Sequence, residues 1–268
     1  MGDTLLAEEI ISDMFKNVIV RRPSRSMING ITSAPELGTP DYELAMKQHD
    51  DYIAALKYCG CEVTMLPAME EYPDSCFVED VAVVTPKCAI ITNPGAASRN
   101  GEKAHIVEAI KKFYPEEHIH YITEGTIEGG DVMMVGTHFY VGKSDRTNVA
   151  GFKNFARILA KYEMTATQVE LHTVLHLKTG VVHLSDGNML AAGEFIDRDV
   201  FEAFNRIAVP EDEAYAANCL WMNGKVIVPA GFPKMEKTVR ELGYEVVIVD
   251  TSEYRKIDGG LSCLSLRF

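Results

Sequence analysis

Short apolar runs alternate with Gly- and Pro-containing turns along this chain, and one pattern of run and turn returns five times. Val18–Val20 leads toward Pro23, Ala89–Ile91 toward Pro94 and Gly95, Phe139–Val141 into Gly142, Met189–Ala191 toward Gly193, and Val226–Val228 into Pro229 and Gly231. Runs of this kind, ended by turn residues, read as buried strands. A helical stretch is predicted after each turn. The clearest are 39–58, with Pro40 near the first helical position and Gly60 as a stop, and 146–162, where Phe152, Phe155, Ala156 and Leu159 share a face. A second strand follows each helix, at 63–66, 120–122, 169–171, 206–209 and 246–249.

One more strand per unit is predicted, and it carries the unusual residues: 74–81, 127–132, 175–179, 216–220 and 260–264. Closing five such units around an axis would bring equivalent positions to one central point and let remote segments build a single site. Periodicity alone is equally compatible with a doubly wound α/β sheet whose turns merely look regular.

A chain of 268 residues, 47% of them hydrophobic, can bury one large core, so a single domain over 14–268 is expected, preceded by a loosely held extension over 1–13. The formal charge of −13 disfavours nucleic acid and anionic membrane as partners and suits a cationic small molecule. No apolar run is long enough to span a bilayer, and the first residues are acidic where a secretory signal is basic, so the expected location is the cytoplasm. Six cysteines without CxxC or zinc-ribbon spacing suggest neither disulfides nor a structural metal, and no cofactor is expected. Subunit number is not legible, and a homodimer is left open.

Cys263 follows the flexible stretch Asp258-Gly259-Gly260, at an accessible junction between loop and strand where a thiolate can be reached. A Cys in an apolar strand is ordinarily a small core residue, and that reading holds for Cys59, Cys61, Cys88 and Cys219. His176 lies in the strand-like run 174–179, where an imidazole is either bonded within the core or faces a cavity; beside a candidate thiol it becomes a proton carrier. The other seven histidines read as surface or helix residues. Glu128, ahead of Gly129-Gly130-Asp131, and the adjacent Glu79 and Asp80 are carboxylates in apolar strands, where burial without a partner is costly. Internal ion pairs could satisfy them. So could a bound guanidinium, whose planar fork matches carboxylate geometry. Alternation along a strand would also turn one of two neighbouring acids toward solvent.

Guanidinium hydrolysis explains such a set: carboxylates keep the group cationic and flat, a thiolate attacks its carbon, and a histidine serves the leaving amine and then the attacking water. The stretches FVEDVAVV, GTIEGGDVMMVG, HFYVGKSDRTN, LHLKTG, AANC and DTSEYRKIDGGLSCLSLRF resemble those of the dimethylarginine dimethylaminohydrolases, bacterial-type members of the guanidine-modifying pentein superfamily, over nearly the whole chain from Met14 to Phe268. The resemblance implies a five-bladed αβ propeller. It implies Cys263 as nucleophile, His176 as general acid and base, and Glu128 as the carboxylate that orients the imidazole and touches the guanidinium. It further implies Asp80 gripping the guanidinium with Glu79 beside it, Arg99 and Arg146 clamping the substrate α-carboxylate, Asp74 and the backbone of Ile31 facing the α-amine, and Ile257 as a backbone contact near the reacting group. The implied products are citrulline and a methylated amine.

Arginine and agmatine deiminases resemble the chain at EGGD but carry an acid two positions after the catalytic His, where this chain has Lys178. Losing that carboxylate removes a partner for an unmethylated nitrogen and favours methylarginine over arginine. The alternatives are a related guanidine hydrolase such as an arginine deiminase, and a catalytically silent pentein that serves as a binding module. A papain-like protease fits less well, because there the Cys precedes the His.

Overall fold

A computed structural model of the chain describes residues 15–268. The predicted extension over 1–13 lies outside the described residues, and the first strand starts at Asn17. Among the described residues the strands form five three-stranded sheets of one design. β1 (Asn17–Arg21), β4 (Ala89–Ile91), β7 (His138–Lys143), β10 (Asn188–Ala191) and β13 (Lys225–Pro229) are the middle strands, and they are the five runs that the sequence pattern marks. Each pairs in parallel with the strand that follows it: β2 (Glu62–Leu66), β5 (Ile119–Tyr121), β8 (Thr165–Glu170), β11 (Asn205–Ala208) and β14 (Glu245–Val249). On its other side each has an antiparallel neighbour: β3 (Ala82–Val84) for β4, β6 (Val132–Val135) for β7, β9 (Val181–His183) for β10, β12 (Leu220–Met222) for β13 and β15 (Leu266–Arg267) for β1. The last strand therefore completes the first sheet, with Val18 opposite Arg267 and Ile19 opposite Leu266.

The core shows how these sheets become the blades of an αβ propeller. Alternate residues of a middle strand enter different clusters: Ile19 packs with Ala89 and Ile91, Ile90 with Phe139 and Val141, Met189 and Ala191 with Met133 and Val169, Leu190 with Val226 and Val228, and Ile227 with Val18 and Val20. Each cluster joins two neighbouring sheets and the fifth joins the last to the first. Both faces of every middle strand are thus buried, which is why these runs are continuously apolar rather than alternating.

Helices cover the outside. Asp41 caps Tyr42–Tyr58 by accepting from the Leu44 amide at 3.0 Å, and the buried side chains Ala45, Gln48, His49, Tyr52, Ala55 and Leu56 follow helical spacing. Asn148 caps Val149–Ala160 in the same way, its side chain accepting from Gly151 at 2.9 Å. The buried stripe there runs through Asn154, Phe155, Ile158 and Leu159, rotated slightly from the predicted one, so that Phe152 and Ala156 are only half-buried. The helix expected in the fourth blade is missing: between β10 and β11 there are only single turns at Gly193–Phe195 and Asp199–Phe201, and Phe195 and Phe201 fill the space instead.

Candidate active site

The segments expected to be extra strands are short helical turns, each placed just before an antiparallel edge strand: Val78–Val81, Gly129–Asp131, Leu177–Gly180, Glu211–Ala217 and Ser262–Leu264. The difference matters for the acids. On a strand Glu79 and Asp80 would face opposite sides, whereas the turn at Val78–Val81 buries both, at 3% exposure each.

Two glycines let the acid-bearing turns close up. A Cβ on Gly129 would lie 1.8 Å from the Glu79 carbonyl oxygen, and one on Gly130 would lie 2.9 Å from His176 Cγ and 3.0 Å from Asp80 Oδ1. Gly129→Ala should therefore push apart the turns carrying Glu79 and Glu128 and cost about 3 kcal/mol of stability, read as a lowered urea midpoint; an unchanged midpoint would show that the two turns can separate freely.

Within this frame the imidazole Nε2 of His176 donates to Glu128 Oε2 at 2.7 Å. Glu128 Oε1 accepts from the Ala96 amide at 3.0 Å and lies 3.6 Å from Arg146 Nη1. Asp80 Oδ1 accepts from the Gly130 amide at 2.9 Å, and its Oδ2 pairs with Arg99 Nη1, so each oxygen keeps a lone pair for a further donor. One ligand-type atom from each of Asp80, Glu128 and His176 lies within 4.8 Å of the others, a set that could in principle surround a cation. The bond between Nε2 and Oε2 fixes the imidazole against the carboxylate and orients it for proton transfer.

Electrostatics follow from these contacts. Burial alone would lower the affinity of His176 for its proton, but the bond to Glu128 and the charges of Asp80 and Asp131 outweigh it and raise the group to about 9. Burial works the other way on Glu128; the His176 bond and charge, with Arg99, overcome it and hold the carboxyl near 2. An imidazolium–carboxylate pair is therefore the resting state at neutral pH. Cys263 stands in the turn Ser262–Leu264, partly exposed, while the other five cysteines are buried. Burial of its thiol, with Glu79 and Asp80 adding to the effect, pushes it up to about 12 against a smaller opposing contribution from Lys178. At rest the sulfur is protonated.

The remaining expected residues fall around this group. Asp74 Oδ1 accepts from the Ile31 amide at 2.9 Å, and a Cβ on the intervening Gly30 would touch both that oxygen and the Ile257 side chain, so Ile31, Asp74 and Ile257 share one corner. Burial raises the Asp74 carboxyl despite Arg99 nearby. Arg146 has its guanidinium partly exposed beside Glu128. Arg99 is buried and heavily engaged: Nε and Nη2 donate to Glu102 at 3.0 and 2.8 Å, and Nη2 also reaches the Phe77 carbonyl at 2.9 Å. Its Nη1, bonded to Asp80, is the one nitrogen with a second N–H to offer. Glu79 is likewise committed, Oε1 to Lys178 at 2.5 Å and to Arg267 at 2.8 Å, Oε2 to the Ser262 hydroxyl at 2.8 Å.

Several residues of the site had no assigned role in the sequence. Asp131 accepts from the Leu177 amide at 3.0 Å and from the Ser144 hydroxyl at 2.6 Å, tying the His176 segment to the third blade. Asn218 donates to the Lys178 carbonyl at 2.7 Å and accepts from the Ser262 amide at 3.0 Å, joining the histidine and cysteine segments. Both lie inside the quoted motifs EGGD and AANC, so the signal was present without its meaning. His49 lies on a helix, as expected, on its fully buried face, where burial lowers it to about 4.

Comparison with known proteins identifies the family. The family model of N,N dimethylarginine dimethylhydrolase, eukaryotic, matches residues 38–239. The N(G),N(G)-dimethylarginine dimethylaminohydrolase of Pseudomonas aeruginosa is 52% identical over 95% of this chain and 100% of its own. The chain belongs to the dimethylarginine dimethylaminohydrolase family. A second relative of that name, from Streptomyces coelicolor, is 35% identical over 94% of this chain and 96% of its own. A solved structure of the Pseudomonas aeruginosa protein, a cysteine-to-serine variant complexed with citrulline, superposes with a TM-score of 0.93 at 52% identity, covering 95% of this chain and all of the other. The N-terminal domain of ArgZ, covalently bonded to a reaction intermediate, superposes at 0.82 over 94% of this chain and 97% of that one, but at 18% identity, so it shares the propeller. Among the described residues of this dimethylarginine dimethylaminohydrolase family member, no helix is long and apolar enough to cross a membrane.

Proposed function

We propose that this chain hydrolyses Nω-methylated arginines, asymmetric dimethylarginine and monomethylarginine, to citrulline and the methylated amine, with residues 14–268 acting as one catalytic domain. The observation that carries the reading is the convergence of Asp80, Glu128 and His176 within 4.8 Å beside a thiol that feels the charges of Glu79 and Asp80. Support comes from the 52% identical relative named for this activity and from the citrulline complex of that protein.

The chemistry follows from the groups present. Asp80 offers its two free lone pairs to one edge of the substrate guanidinium and Glu128 stands at another, keeping the group cationic and planar. That positive charge offsets the acids that hold the Cys263 proton in place, so the thiol ionises as substrate binds and releases its proton to solvent. Sulfur attacks the central carbon and a tetrahedral adduct results. Protonated His176 delivers its proton to the methylated nitrogen, the C–N bond breaks and the amine departs, leaving a thiouronium on Cys263. The now neutral imidazole takes a proton from water, the hydroxide adds to the same carbon, and the C–S bond breaks as the adduct's O–H proton passes to the departing sulfur, which releases citrulline and restores the thiol and the imidazolium.

At the amino-acid end, Arg146 and the spare N–H of Arg99 Nη1 receive the α-carboxylate, Asp74 and the Ile31 backbone receive the α-amine, and the backbone of Ile257 borders the reacting group. Lys178 bears on the choice of substrate: it neutralises Glu79 where deiminases have an acid, and so leaves an unmethylated nitrogen without an additional carboxylate. Incubation with asymmetric dimethylarginine should yield citrulline and dimethylamine in equal amounts, with kcat/KM at least about tenfold above that for arginine, a difference of ~1.4 kcal/mol. Faster turnover of arginine would assign the chain to deimination instead.

A further inference from the structure

The mechanism uses a thiol whose neighbouring acids oppose its ionisation, and it leaves a partly buried cation beside that thiol without a role. Arg267 lies in the final strand. Its Nη1 donates to the Ser262 and Ser265 carbonyls at 2.8 Å each and to the Ser265 hydroxyl at 2.9 Å, which encloses the turn that carries Cys263. Its Nη2 donates to Glu79 Oε1 at 2.8 Å, and Glu79 Oε2 accepts from the Ser262 hydroxyl, so the same guanidinium reaches the nucleophile's turn from two directions. We propose that Arg267 is a positioning residue for Cys263: it staples the nucleophile's turn and, with Lys178, offsets part of the charge of Glu79, so that the sulfur ionises more readily than it would beside an unpaired carboxylate. The inference rests on Cys263 being the nucleophile, as read above, and needs no particular substrate.

The surroundings agree with this role. Glu79 is buried, and two cations bond the same oxygen, so Lys178 and Arg267 together offset its charge beside the thiol. The proximity is mutual: the Cys263 charge figures among the influences that raise Arg267, after burial, which lowers it, and Glu79. Removing Arg267 leaves a buried acid half-compensated beside the sulfur and loosens the turn that aims it.

The experiment is alkylation of Cys263 by iodoacetamide between pH 7 and 9.5, followed by mass spectrometry of the peptide containing Cys263, on folded protein selected by size exclusion. Below its pKa a thiol reacts in proportion to its thiolate fraction, and each unit of pKa is tenfold in rate. Arg267→Met should slow alkylation about tenfold at each pH, with kcat reduced and KM for dimethylarginine little changed. Arg267→Lys, which keeps the charge and loses most of the staple, should recover alkylation to within about threefold of the unsubstituted protein while its melting temperature stays low. The double variant Glu79→Gln/Arg267→Met should bring the rate back up, since the uncompensated acid is gone. It also carries the test if Arg267→Met alone does not fold. An alkylation rate unchanged in Arg267→Met, or equally slow in Arg267→Met, Arg267→Lys and the double variant, would overturn the electrostatic role. Because alkylation requires no substrate, this result is separate from the failure of the substrate assay.

Discussion

Cys263→Ser is expected to lower citrulline formation from dimethylarginine by about 10⁴-fold or more while the protein still binds the amino acid, the scale on which losing a covalent nucleophile acts. The serine hydroxyl is nearly isosteric, and the turn Ser262–Leu264 is held by bonds to Asn218, Glu79 and Arg267 that do not involve the sulfur, so fold and substrate contacts should persist. Product formation by stopped assay, with binding followed by calorimetry, separates the two. The five other cysteines are all buried, and burial pushes up each of their thiols, whereas Cys263 is partly exposed and can be reached by a reagent. In the unsubstituted protein, alkylation should therefore strike Cys263 first, and substrate should protect it. Retention of activity in Cys263→Ser would end the covalent mechanism.

The second large effect concerns the imidazolium pair. Glu128→Gln removes the bond that holds His176 near 9 and should drop its pKa toward the ordinary 6.5 or lower, because burial then acts without its counterweight. In the unsubstituted protein kcat/KM is expected to fall above about pH 9, as the acid that serves the leaving amine loses its proton. In Glu128→Gln that limb should move down by two units or more and the maximal rate should fall about 10³–10⁴-fold, comparable to misdirecting the orienting carboxylate of a triad. Stability follows the same groups. The depressed Glu128 contributes above its unfolded value of 4.5 and loses that contribution as pH falls toward 2; the raised His176 contributes below 6.5 and loses its share as pH rises through 9. The pair therefore stabilises most between about 4.5 and 6.5, and the melting temperature of Glu128→Gln should approach that of the unsubstituted protein at either extreme. A pH–rate profile unchanged by the substitution would detach Glu128 from His176.

Much of the architecture was legible because strand runs and turns are local. The five middle strands coincide with the predicted apolar runs, and the reason for their uninterrupted hydrophobicity is that alternate side chains feed two inter-blade cores. The missing fourth-blade helix was not legible, since the repeat encouraged a uniform reading of a segment that folds into two single turns. Asp131 and Asn218 were visible as motif letters, yet their work is to bond backbone groups of other blades, which no local pattern encodes.

By itself the sequence determined the repeated unit, the excess of acids suited to a cationic ligand, and the chemical types and positions of the thiol, the imidazole and the carboxylates. Only the tertiary structure decided their partners. Glu128 meets His176 across 48 positions and Glu79 meets Arg267 across 188, so whether an acid faces substrate, orients an imidazole or is spent on an internal cation depends on which blades close around it. Short apolar runs select strands through local geometry, whereas the state of a buried charge is set by whatever lies within a few ångströms, however far away in the chain.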